Sequence, residues 1–169
     1  MITPDYVQMM ARYNLWQNGQ VAEQLSAQPD EVLLQDRGAI FGSLLGTLNH
    51  ILWADLFWMS RFAQDYKRPV GGISESPSLY ASFADWRDAR GQMDRALISW
   101  SDDLSPPDVQ GELTWYSGSL GREVQTALGQ CVTHMFNHQT HHRGQVHAMM
   151  TGANIATSVT DLAFLPEAL

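Results

Sequence analysis

A chain of 169 residues, 44% of them hydrophobic, can bury one full core without disulfide staples, and its single cysteine, Cys131, excludes an internal disulfide. Ten basic against eighteen acidic residues give a net charge of -8, which repels phosphate backbones and argues against nucleic acid as a partner. Met1-Ile2-Thr3-Pro4-Asp5 has no basic flank leading into an apolar run, and no stretch approaches the roughly 18 apolar residues of a membrane span, so a single cytoplasmic domain over residues 1–169 is expected.

Thr3 followed by Pro4 reads as an N-cap and first helical position, and Tyr6, Val7, Met10, Tyr13, Trp16, Val21 and Leu25 continue at helical spacing to about Ala27. A polar connection from Pro29 to Gly38 follows. From Phe41 to about Phe62 a broad apolar face predicts a second helix, which carries His50. Pro69, Gly71, Gly72, Ser74, Ser76, Pro77 and Ser78 mark a long surface loop. Ser82 caps a third helix with one solvated face, and it stops before Pro106-Pro107. Strand formers at Leu113-Thr114-Trp115-Tyr116 and the turn pair Ser117-Gly118 predict a small β-hairpin. The last long helix should begin by Thr126 and run through Met150, with Gly152 and Asn154 as stop signals and a short docked turn in the tail. The expected class is all-α, a four-helix bundle.

Five of the six histidines lie between His134 and His147, where an even spread would place roughly half of one; the cluster calls for a cause. On a helix, His138 and His142 stand about 40° apart and one turn along, so both imidazoles can reach one point. His147 lies roughly on the opposite face and reads as a surface residue, as does His141. A three-coordinate protein site needs a ligand from elsewhere, and His50, inside an apolar helix where an unpaired ring is costly, is the natural candidate. His134, His141 and, more weakly, Asp55 compete for the same role. His50, His138 and His142 would hold a divalent ion with three neutral ligands and one side open to water or substrate, in a site of net charge plus two.

Other residues carry plainer readings. Tyr13, Trp16, Trp53, Trp58 and Trp86 fall at core spacings, and Asn49 and Asn137 point away from their histidine neighbours, as helix-linking amides would. Arg143 is either an internal ion-pair partner or an anchor for a substrate carboxylate.

Three stretches resemble the DinB/YfiT-like family of proposed metalloenzymes, and the resemblance covers nearly the whole chain. They are Tyr13-Asn14-Leu15-Trp16-Gln17-Asn18, Leu48-Asn49-His50-Ile51-Leu52-Trp53-Ala54-Asp55, and His134-Met135-Phe136-Asn137-His138-Gln139-Thr140-His141-His142-Arg143-Gly144-Gln145-Val146-His147. The resemblance implies a metal held by one histidine of the second helix and an His-x-x-x-His pair of the late long helix, which fall on His50, His138 and His142. It also implies an up-down-down-up bundle, a homodimer, and zinc or nickel as the ion. Gln139 stands where many relatives would carry glutamate, which removes a carboxylate from proton transfer at that position.

The function expected is therefore metal binding, with a metal-dependent enzyme as the leading reading. The open site would activate water, as in a hydrolase, or a low-molecular-weight thiol, as in the thiol-dependent transferases among relatives of this superfamily. No residue is singled out as catalytic beyond the ligands. The alternative is a stress-related metal-binding or scaffold protein without turnover.

Overall fold

The computed structural model describes residues 2–63, 65–118 and 120–168. Five helices, α1 (Pro4–Leu25), α2 (Asp30–Leu34), α3 (Leu44–Phe62), α4 (Phe83–Asp102) and α5 (Leu128–Gly152), are joined by a two-stranded antiparallel sheet of β1 (Glu112–Ser117) and β2 (Arg122–Ala127). The fold is mostly helical with one small sheet. No described helix is long and apolar enough to cross a membrane.

The helix starts are set by side-chain caps. Thr3 accepts from the Tyr6 amide ahead of Pro4, Ser43 from the Gly46 amide, and Ser82 from the Asp85 amide, each satisfying a donor that the first turn leaves free. Helix α5 has no such side chain; its Leu128 amide bonds the carbonyl of Gly111 at the foot of the hairpin. This helix starts at Leu128 rather than by Thr126, because Thr126 and Ala127 pair with Leu113 and Glu112 in the sheet. The second helix likewise starts at Leu44, not Phe41. The Pro29 to Gly38 connection is not wholly irregular, since Asp30–Leu34 forms the short α2, whose Leu33 is buried in the core. The long loop before α4 holds one 3-10 turn at Ser76–Ser78, and the tail holds another at Leu162–Phe164.

Each of the four long helices packs against two others, in the cyclic order α1, α4, α3, α5. Leu25, Leu44, Leu52, Met59, Leu97 and Phe136 have no measurable exposure at their centre. Trp86, whose indole N–H donates to the Leu48 carbonyl, is also buried, as are Tyr13 and Trp53; Trp16 and Trp58 pack half-buried around the core.

A polar network crosses this apolar interior and touches all four long helices. Arg90 of α4 pairs with Asp55 of α3 and, at 2.8 Å, with Asp94 one turn along its own helix. Asn14 and Asn18 of α1 donate to Asp94 at 3.1 and 2.9 Å, and Gln139 of α5 donates to Asp55 at 2.8 Å. Asp55 is thus a partner of Arg90 and Gln139 and not a competitor for the metal. Buried ion pairs add little net stability, but removing one member leaves charge unpaired. Replacing Arg90 with leucine strands two buried carboxylates, so urea unfolding of Arg90→Leu should show a loss of about 3–5 kcal/mol.

Candidate metal centre

The Asp55–Gln139 bond sets the register between α3 and α5. One residue before Gln139 is His138 and three after it is His142; five before Asp55 is His50. One ring nitrogen from each of these three histidines lies within 4.8 Å of the other two. The Nε2 atoms of His50 and His138 are 3.1 Å apart. Two nitrogens bound tetrahedrally to one zinc stand roughly 3.3 Å apart, given bonds of about 2.0–2.1 Å, so the spacing suits a shared ion.

The outer nitrogens assign the tautomers. Ser76 gives its only hydroxyl proton to the Ile73 carbonyl, so at 2.8 Å from His50 Nδ1 it can only accept. His50 is therefore protonated on Nδ1, and its Nε2 presents a lone pair to the cluster. His142 Nδ1 donates to the Gln145 side-chain carbonyl at 2.7 Å, which leaves its Nε2 a lone pair as well. His138 Nδ1 is buried with no partner among the described residues. With its proton on Nδ1, the third lone pair joins the other two, and such a cluster repels itself unless a cation lies between the rings. The donor set fits a divalent ion.

The rings are kept neutral. Burial, and then the nearness of His142, pulls His50 down to about 4; burial and the neighbouring histidines, His142 first, pull His138 down to about 3; burial lowers His142 too. Aromatic rings supply much of that burial. Phe41 stacks on His50 with centroids 3.7 Å apart and meets His142 edge-on at 5.4 Å, while Trp53 lies nearly parallel to His50 at 6.3 Å. Phe41 reaches this position from the loop before α3 because Gly46 has no side chain: a Cβ there would stand 2.3 Å from the Phe41 carbonyl oxygen.

The remaining sequence candidates sit beside the cluster. His134 is exposed and packs edge-on against Trp58, its ring 5.9 Å from that of His138. His141 is exposed and touches His142 and Gln145. His147 is half-buried on another face of α5. Asn49 ties α3 to the following loop through the carbonyls of Pro77 and Tyr80, whereas Asn137 is exposed. Arg143 is buried, yet it bonds Asn14 and, among the described residues, no carboxylate directly. A glutamate at position 139 would set a second carboxylate against Asp55, so the glutamine belongs to the network.

Ser76, Phe41 and Gln145 were not singled out from sequence. Only Gln145, three residues after His142, had a local signal, since that spacing puts it on the same helix face. Ser76 and Phe41 arrive from loops.

Two outcomes test this geometry. In metal-free protein, unfolded histidines take up protons below about pH 6.5 while the folded rings of His50 and His138 refuse them until about 4 and 3. Stability present above pH 6.5 should therefore be lost as pH falls through that window, seen as a declining melting temperature. Gly46→Ala should push Phe41 off His50 and cost about 1–3 kcal/mol, checked by urea unfolding and by the chemical shifts of the His50 ring.

The DinB family profile matches residues 1–167. The chain is 23% identical over 163 residues to Protein DinB of Bacillus subtilis, covering 93% of this chain and 91% of that protein. A crystal structure of a DinB-like protein from Bacillus cereus is similar in fold, with a TM-score of 0.63 and 19% identity over 85% of this chain and 90% of the other. The chain belongs to the DinB family.

Proposed function

We propose that this protein is a metal-dependent enzyme, of hydrolase or thiol S-transferase type, in which His50, His138 and His142 hold zinc or nickel and leave one side of the ion for a small-molecule substrate. The observation that carries it is the convergence of three neutral imidazoles, two of them locked by Ser76 and Gln145 with their Nε2 lone pairs free. A divalent ion there supplies Lewis acidity toward water or a low-molecular-weight thiol. The chain's own contribution is orientation and exclusion. Ser76 and Gln145 fix two ligand rings, and Phe41 and Trp53 keep water from the faces of His50. We read the four long helices as one up-down-down-up bundle in a single domain, acting in the cytoplasm as a homodimer.

A non-catalytic metal-binding or scaffold role is the second reading, favoured by the close cover of Phe41 over two of the three rings. It requires a coordination sphere closed to outside ligands.

Metal content of untagged protein, purified without a nickel column, should show about one zinc or nickel per chain. Alanine at His50, His138 or His142 should abolish tight binding, and Ser76→Ala should weaken it about 10–100-fold, measured by competition with a chromophoric chelator. Cobalt-substituted protein should change its visible spectrum on adding thiol if the site is open. Unchanged metal affinity in all three histidine variants would remove the proposal, and an unresponsive cobalt spectrum without turnover would favour the scaffold role.

A further inference from the structure

A concave site lies on another face of α5, away from the histidine cluster. A cavity of about 450 Å³ opens between α1, α5 and the segment 157–160, with Tyr13, Gln17, Thr140, Arg143, Gly144 and Thr160 in its walls. That volume falls in the range of small-molecule sites. The segment is strapped in place by side chains of α1: Tyr13 donates to the Thr160 carbonyl at 2.6 Å and Gln17 to the Val159 carbonyl at 3.0 Å. The cavity wall is thus built by specific bonds between elements distant in sequence.

Among the described residues, Arg143 is the only arginine or lysine of that wall, and it is 7% exposed. One of its terminal nitrogens donates to Asn14, the Tyr13 ring lies 5.6 Å from the guanidinium carbon, and Nη2 has no partner among the described residues. Asp55 and Asp94 are engaged by Arg90 and by amides, so Arg143 meets their charge only at a distance. Of the guanidinium's fork of donors, one terminal nitrogen is taken by Asn14 and the other is buried and unpaired, and a carboxylate is the acceptor that such a charged donor recruits. The two buried carboxylates behind it disfavour a doubly charged phosphate at the same place.

Gly144 is a second, independent observation. A glycine inside a long helix weakens that helix, and no packing among the described residues requires this exposed one, since a Cβ there would meet none of their atoms within 4 Å. It lines the cavity, where the absence of a side chain lets a ligand lie against the backbone. We infer that this cavity is a binding site for a small carboxylate, anchored by Arg143 and admitted by Gly144.

The test is independent of the metal. Acetate, succinate and benzoate are titrated into chelator-treated protein, with acetamide, benzamide and inorganic phosphate as comparisons, while the Arg143 Nε–H and Gly144 amide signals are followed by NMR. At least one carboxylate should shift both signals saturably, with its matched amide binding roughly tenfold more weakly or worse. Gly144→Leu, whose side chain fills the cavity, should remove the shifts while the circular dichroism is retained. Arg143→Lys, which keeps the charge and loses the fork, should weaken binding several-fold. The inference is overturned if none of the three carboxylates shifts these signals, if an amide or phosphate binds as well as the carboxylate, or if either variant binds like the parent.

Discussion

The arrangement of this molecule depends on one buried polar contact, the bond from Gln139 to Asp55. Asp55 is held from the other side by Arg90, which also holds Asp94, and Asp94 in turn receives two asparagines of α1. Apolar packing alone tolerates sliding of one helix past another, because one aliphatic contact resembles the next. A hydrogen bond between two buried polar groups does not, since a shifted register leaves both unpaired. The network therefore works less as a source of stability than as a fixed reference for the helices around it.

The histidine cluster inherits that reference. His138 and His142 flank Gln139 on α5, and His50 precedes Asp55 on α3, so the contact that pins the two helices also brings the three rings together. The surroundings then finish what the register begins. A serine from a 3-10 turn and a glutamine one turn along α5 fix two ring protons, and a phenylalanine admitted by Gly46 covers two of the rings. Low ring basicity follows from burial and, for His50 and His138, from the neighbouring histidines, and neutral rings are what a cation needs as ligands. The same helix uses different faces for different purposes: His138 and His142 turn toward α3, while Arg143, Gly144 and His147 line the cavity against α1.

Much of this was legible in the sequence. The caps at Thr3 and Ser82, the prolines that follow α4 and bar its continuation, and the apolar periodicity of the long helices act within a few residues of themselves, so their consequences can be read locally. The His-x-x-x-His spacing belongs to the same class, because helical geometry alone puts those two rings on one face. His50 could be nominated from its apolar neighbours and its solitude, and the hairpin from its strand formers, although the pairing of Thr126 and Ala127 that delays α5 depends on a partner strand.

The rest was decided by the tertiary structure, for a physical reason common to each case. Asp55 looked like a ligand competitor until Arg90, 35 residues away, claimed it. Ser76 looked like loop composition until its hydroxyl met His50. Gln139 looked like a missing glutamate, and is the donor that Asp55 requires. Arg143 read as half of an ion pair or as an anchor for a carboxylate, and its bond within the chain is to an amide of the first helix. The sequence by itself determined where helices begin, which faces are apolar and which imidazoles share a turn, since these follow from backbone geometry over short spans. Which polar groups find each other across the core is a matter of long-range register, and no local pattern encodes it.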